Sequence, residues 1–258
     1  MSEQLSGKVA LVCGASAGIG RATAFALAER GATVVALARR VERLADLIAA
    51  LPGDGHRALP ADLDKRDELG AVVDGLLAEI GAVHILVNNS SGPPAGPLLK
   101  ATEEDFLTAI GRHLLASHLL VQRLLPGMVD AGYGRIINII STSVREPIPN
   151  LGVSNTTRGA VASWAKTLSR ELPAGVTINN VLPGFTNTER LDSLRAGISG
   201  RTGKTLDAVQ AGWMAQVPEG RLIRPEETAA TIAFLASPDA AGIRGVSLAV
   251  DGGRMRSI

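Results

Sequence analysis

A single cysteine, Cys13, stands in 258 residues, which excludes an intrachain disulfide framework or a thiolate metal site and leaves a buried, inert thiol as its reading. Only four histidines are present, His56, His84, His113 and His118, and none of their spacings suits a metal, so no metal site is expected. Aromatic residues make up 3% of the chain and the net charge is +1 with Lys and Arg dispersed, which provides neither a stacking platform nor a basic stripe for nucleic acid. No apolar run approaches the ~20 residues of a membrane span, and Met1 to Ser6 lacks an apolar h-region, so a cytoplasmic protein without a membrane partner is predicted. What remains is 46% apolar and 20% charged, ample for one large core, and residues 1–258 are read as a single α/β domain.

The chain is organised around Val9-Ala10-Leu11-Val12-Cys13-Gly14-Ala15-Ser16-Ala17-Gly18-Ile19-Gly20, an apolar strand running into three glycines and then a helical pattern from Arg21 to Arg30. Glycine serves where φ turns positive or a Cβ would strike a phosphate, and a helix beginning at Gly18 would aim free N–H groups and its positive dipole end at an anion. The G-x-x-x-G-x-G spacing is wider than G-x-G-x-x-G, and by itself it is also compatible with a packing corner.

Apolar, β-branched runs recur at Thr33–Leu37, Ile85–Val87, Arg135–Ile140, Thr177–Val181 and Val246–Val250, with a shorter strand at His56–Ala61. Helical patterns or loops separate them. They are apolar throughout, as strands covered on both faces are, so a Rossmann-type doubly wound parallel sheet of about seven strands is predicted, with ligands at the strands' C-terminal ends. The second strand ends in Arg39-Arg40 with no acid before Glu42. That suits a 2′-phosphate better than a free ribose hydroxyl, and two cations at a helix start oppose its dipole unless an anion is bound, which favours NADP over NAD. Asp64 is expected to cap a helix over Lys65–Ile80, while Asp62 either accepts from an adenine amino group or serves its turn. Asn88-Asn89 closes the fourth strand, and Thr102-Glu103-Glu104-Asp105 resembles a capped start for a long helix, Glu103–Leu125, reaching Pro126.

These stretches and Gly134-Arg135-Ile136-Ile137-Asn138-Ile139-Ile140-Ser141, Asn179-x-Val181-x-Pro183-Gly184-x-x-x-Thr188 and Val250-Asp251-Gly252-Gly253 follow in the order typical of short-chain dehydrogenase/reductases. Over essentially its whole length the chain resembles that family, especially its 3-oxoacyl-carrier-protein reductase-like members. The resemblance implies hydride transfer between NAD(P)H and a small carbonyl or alcohol substrate. It implies cofactor contacts at Gly14, Ser16, Gly18, Ile19, Gly20, Arg39, Arg40, Asp62, Leu63, Asn88, Arg158, Pro183, Gly184, Thr186 and Thr188. It also implies a homotetramer held through the long helix, the helix after Ser154, and the C-terminal strand and helix, near which His118 and Trp164 are expected.

The chain departs from the family at the acid. Ser141 matches the serine that holds the substrate oxygen, but where Y-x-x-x-K is expected the sequence reads Ser154-Asn155-Thr156-Thr157-Arg158. A serine hydroxyl is a far weaker acid than a phenol of pKa ~10, and arginine stays protonated. Arg158 can still donate to the nicotinamide ribose. His113 takes the place of the family's relay asparagine, with a pKa range suited to an acid near neutrality or else a structural role. The S-N-x-x-R pattern resembles a divergent branch rather than one damaged copy. After Gly184, residues 184–217 are read as a glycine-punctuated lid. Two functions fit: an NADP-dependent oxidoreductase in which Ser141 orients substrate and Ser154 or His113 passes a proton through water, or a catalytically silent NADP-binding sensor or subunit of a mixed oligomer.

Overall fold

Seven parallel strands lie side by side in the order β3-β2-β1-β4-β5-β6-β7 in a computed structural model that describes residues 4–257. They are β1 (Val9–Cys13), β2 (Thr33–Ala38), β3 (Arg57–Pro60), β4 (Ile85–Asn88), β5 (Gly134–Ile139), β6 (Val176–Pro183) and β7 (Ser247–Val250). The helices are α1 (Gly18–Ala28), α2 (Val41–Ala50), α3 (Arg66–Ile80), α4 (Glu103–Ile110), α5 (Ala116–Asp130), α6 (Gly152–Glu171), α7 (Glu189–Thr202), α8 (Leu206–Met214) and α9 (Pro225–Ala236). No helix is long and apolar enough to cross a membrane, among the described residues.

Successive strand residues point to opposite faces, and both faces are covered. Ala10, Val12, Val34, Ala36 and Val87 pack with Leu27 of α1, Leu44 of α2 and Ile232 of α9. Leu11, Cys13, Val35, Leu37 and Leu86 pack with Val73 of α3, Leu124 of α5 and Ala165 of α6. That two-sided burial is why the strands read as unbroken apolar runs and why one Rossmann-type domain results. It also pushes the Cys13 thiol pKa up to about 12, leaving it inert.

One rung across the sheet is polar. Asn88, Asn138, Asn180 and Ser247 stand in register on β4, β5, β6 and β7. Asn88 Nδ2 donates to Asn138 Oδ1 (2.8 Å), Asn138 Nδ2 to Asn180 Oδ1 (2.9 Å) and Asn180 Nδ2 to Ser247 Oγ (3.1 Å). Mutual pairing is what lets three amides sit inside the sheet.

Three local expectations change. Asp64 does not cap α3: Lys65 is the N-cap, without a side-chain bond, and the Asp64 carboxylate instead grips Arg112 at 2.5 and 2.8 Å. A bidentate ion pair outweighs a single cap bond, and it holds the Asp64 pKa below the usual carboxylate range. The long helix is interrupted. Thr102 and Asp105 form the capping box that starts α4, but a single π-turn, Gly111–Leu115, separates α4 from α5, which then runs through Pro126 to Asp130. The segment read as a glycine-punctuated lid is mostly helical, with the Thr188 and Thr205 hydroxyls capping α7 and α8. Gly203, in left-handed conformation (φ 70°), ends α7, so that glycine punctuates a helix end rather than a loop.

Candidate active site

A cleft of about 890 Å3 opens where β1, β2, β4, β5 and β6 end. The winding reverses between β1 and β4, which leaves this crevice between diverging connections, where doubly wound sheets bind ligands. One lobe is built on the glycine turn. Gly14 has φ 59°, and a Cβ there would lie 2.7 Å from Asn89 Nδ2, the amide that pins the turn by donating to the Cys13 and Gly14 carbonyls. Ala17 begins α1 without a side-chain cap, and no acid occupies the first turn, so the free N–H groups keep their positive end for an anion.

Gly14, Ser16, Gly18 and Ile19 line the cleft, but Gly20 does not. A Cβ on Gly20 would fall 2.3 Å from the Gly14 carbonyl, so this third glycine is required by packing beneath the turn rather than by a ligand. Asn88 is likewise displaced from its expected cofactor contact: strand alternation turns it into the amide rung, and its neighbour Asn89 lines the cleft instead.

At the end of β2, Arg40 Nε and Nη2 donate to Ser16 Oγ (3.3 and 3.0 Å), which draws the guanidinium onto the glycine turn. Arg39 lies 3.7 Å from Asp62, whose other oxygen accepts from the Asp64 N–H. Asp62 and Leu63 both line the cleft. Glu189 approaches Arg40 at 3.7 Å but is taken by Arg43 at 2.7 Å. Pro183, Gly184, Thr186 and Thr188 form the far wall.

The second lobe joins Ser141, after β5, to Ser154 and Arg158, one turn apart on α6. Ser141 Oγ accepts from the Ser143 N–H (3.1 Å), leaving its own O–H free to donate. Arg158 Nε donates to Ser154 Oγ (3.2 Å), and Nη1 donates to the Ile139 and Ile140 carbonyls (3.2 and 2.9 Å). Withdrawal from water, with Arg190 beside it, pushes the Arg158 pKa down to about 10, which still leaves it charged at neutral pH. The chain's one tyrosine, Tyr133, precedes β5 at the opposite end of the sheet and donates to the Ala236 carbonyl, so no phenol reaches the cleft.

His113 is not the near-neutral acid its residue type suggests. It sits in the π-turn, buried behind Ser90, with a 2.6 Å hydrogen bond between Nδ1 and the Ser90 hydroxyl, and it lines a separate cavity of about 20 Å3 rather than the cleft. Burial, then Arg158 and Arg112, pushes its pKa down to about 2, so the folded protein holds it neutral. The unfolded chain binds this proton below pH ~6.5 while the folded chain refuses it, so stability is lost as the pH falls through that value, by about 1.4 kcal/mol per unit. His113→Asn is therefore expected to gain about 2 kcal/mol on the natural chain between pH 6.5 and 5, measured from urea midpoints. Parallel curves for the two proteins would mean that His113 titrates normally.

A family model described as enoyl-(acyl carrier protein) reductase matches residues 14–254. The 3-oxoacyl-[acyl-carrier-protein] reductase FabG of Vibrio cholerae is 38% identical over 252 residues, covering 96% of this chain and 98% of that one. The chain belongs to the short-chain dehydrogenase/reductase family. Among solved structures, L-sorbose reductase from Gluconobacter frateurii, in complex with NADPH and L-sorbose, superposes with a TM-score of 0.92 at 28% identity, with all of both chains covered. YwfH, an NADPH-dependent reductase of bacilysin biosynthesis, superposes with a TM-score of 0.91 at 28% identity over 98% of this chain and 100% of that one.

Within this short-chain dehydrogenase/reductase, the structure adds cleft residues that sequence reading missed or left unassigned. Ser90 and Asn89 come from the loop after β4. Arg190 comes from α7, and Arg254 reaches in from the C-terminal segment, stacking 4.8 Å over Phe185 and donating to Thr142 Oγ1. Phe185 in turn stacks on Trp213. No local pattern marks Arg254, because its place is set by a tail folding back over β5.

Proposed function

We propose that this chain is an NADP(H)-dependent oxidoreductase acting on a small carbonyl or alcohol substrate, with the usual acid position rebuilt around Ser154 and Arg158. One observation carries the reading: a single cleft unites the glycine turn and Arg39–Arg40 with Ser141, Ser154 and Arg158. The turn fits a dinucleotide, since α1 opens uncapped onto it and a side chain at Gly14 would collide with Asn89. The NADPH dependence stated for YwfH and the NADPH bound in L-sorbose reductase support the same choice.

In this reading Gly14, Ser16, Gly18, Ile19 and the α1 N-terminus hold the diphosphate, Arg39 and Arg40 the 2′-phosphate, and Asp62 and Leu63 the adenine. Pro183, Gly184, Thr186 and Thr188 flank the nicotinamide, which when bound supplies or accepts the hydride. Ser141 donates to the substrate oxygen. Arg158 keeps a fixed charge beside it and one N–H for the ribose, and the Ser154 hydroxyl, whose oxygen accepts from Arg158, orders the water that carries the proton. Residues 184–217 cover the substrate side as a lid.

The deciding experiment is transfer of deuterium from 4-deuterated NADPH to a library of carbonyl compounds. Label in any product alcohol is the expected result. Saturable NADPH binding with no label in any product would instead make this a silent cofactor-binding chain. A homotetramer is part of the proposal, supported by exposed Leu107 and Leu115 along the α4–α5 run and by Phe234 and Leu248 on α9 and β7. His118 and Trp164, edge to face at 6.2 Å, lie on the α5 and α6 elements proposed for these contacts. Light scattering that reports a monomer at micromolar concentration would count against it.

A further inference from the structure

The charges lining the cleft do not balance. Arg39 is matched by Asp62, Arg112 by Asp64, and Arg40 shares Glu189 with Arg43. On the substrate side, Arg158, Arg190, Arg201 and Arg254 have no carboxylate within ion-pair distance among the described residues, and the first two face one another. A Cβ placed on Gly92 would lie 3.5 Å from Nη2 of each. Among the described residues their hydrogen bonds go only to neutral oxygens: Arg158 to Ser154 and two backbone carbonyls, Arg190 through Nη2 to the Pro93 carbonyl (2.8 Å). Arg158 Nη2 and Arg190 Nε and Nη1 have no acceptor among the described residues. Two guanidinium groups that repel each other, with free donors over a glycine that leaves the space between them clear, are suited to receiving an anion.

The wall beyond this pair carries the apolar side chains Leu194, Ile198 and Trp213, interspersed with Ser193, Arg201, Thr202 and Gln216. Arg190, Leu194, Ile198 and Arg201 line the cleft from α7 at spacings of four, four and three residues, one face of a helix. Trp213 of α8 lies in the same wall. The positive site therefore adjoins Ser141 and Ser154 on one side and these apolar side chains on the other. A neutral polyol would leave both features unused.

We propose that the substrate of this cleft is an oxo or hydroxy carboxylic acid with an apolar body, its carboxylate received by Arg190 beside the Arg158 charge. This assignment rests on the function proposed above, with Arg190 as the specificity-determining residue. The competing occupant of the same donors is the cofactor's own diphosphate, and the test separates the two.

Protein saturated with NADP+, which cannot reduce a ketone, is titrated calorimetrically with 3-oxobutanoate, 4-oxopentanoate and 5-oxohexanoate and with the methyl ester of each. At least one acid should bind ~10-fold or more tightly than its ester. Arg190→Leu should erase that preference, Arg190→Lys should retain part of it, and NADP+ affinity should stay within about twofold in both variants. Arg190 is at the rim of the fold, and thermal melts of the variants check that they remain folded. Equal binding of acids and esters, or no binding of either, overturns the assignment while leaving the oxidoreductase reading in place. A ~10-fold loss of NADP+ affinity in Arg190→Leu overturns it too, by giving the pair to the diphosphate. Failure of the natural chain to bind NADP+ removes the underlying reading and this assignment with it.

Discussion

Changing Ser154→Tyr together with Arg158→Lys is expected to raise NADPH-dependent reduction of short ketones by 10²–10⁴-fold, the usual worth of a positioned general acid. Ser141 already presents a free hydroxyl to the cleft, and position 154 lines the same cavity, with Arg158 one turn behind it. What the natural chain lacks is a group of suitable acidity, since Tyr133 is held at the far end of the sheet and His113 stays neutral. A lysine at 158 places an ammonium where the guanidinium now donates to the Ile139 and Ile140 carbonyls, close enough to favour the phenolate of a tyrosine one turn away. Each single change should do much less, because a tyrosine without its cation is a poor acid and a lysine without its phenol has nothing to tune. Steady-state NADPH oxidation across the natural, single and double variants measures this, after each is shown to bind NADPH. If the natural chain already turns over at an ordinary ~10 s⁻¹ and Ser154→Ala abolishes that rate, Ser154 is itself the acid group and the missing-acid account is wrong.

NADPH should bind at least ~10-fold more tightly than NADH, about 1.4 kcal/mol, with Arg40 carrying more of the difference than Arg39. Arg40 is held against the glycine turn by Ser16, so little side-chain freedom remains to be lost, whereas Arg39 is 63% exposed and partly engaged by Asp62. Glu189 does not cancel the site, because Arg43 holds it a full ångström closer than Arg40 does. Arg39→Asp should shrink or reverse the preference, and Arg40→Ala should remove most of it. The preference should also weaken with added salt, as contacts to an exposed phosphate do. Calorimetry giving equal affinities for the two cofactors would exclude the 2′-phosphate site.

The order of strands and helices was legible because the central strands β1, β2, β4, β5 and β6 are covered on both faces, and a run such as Val9–Cys13 has only one way to be buried twice. Strand ends were off by about a residue, as at β5, where pairing with β6 sets the limits at Gly134 and Ile139. Local chemistry placed the Thr102 cap correctly. It misassigned Asp64, because the arginine that captures that carboxylate lies 48 residues away. The π-turn that tucks His113 behind Ser90 carries no signature in Gly111–Leu115, and the Ser90 hydroxyl that meets the imidazole lies 23 residues away.

By itself, then, the sequence determined the parallel α/β sheet, the anion-ready turn, the paired arginines after β2 and the loss of the tyrosine acid, each a matter of residue type within a few positions. The tertiary structure alone decided which amide faces the cleft, that Gly20 serves packing, that His113 is neutral, and that Arg158 and Arg190 meet over Gly92 without a counter-charge among the described residues. Those outcomes depend on burial and on distances between residues far apart in the chain, and no local pattern encodes either.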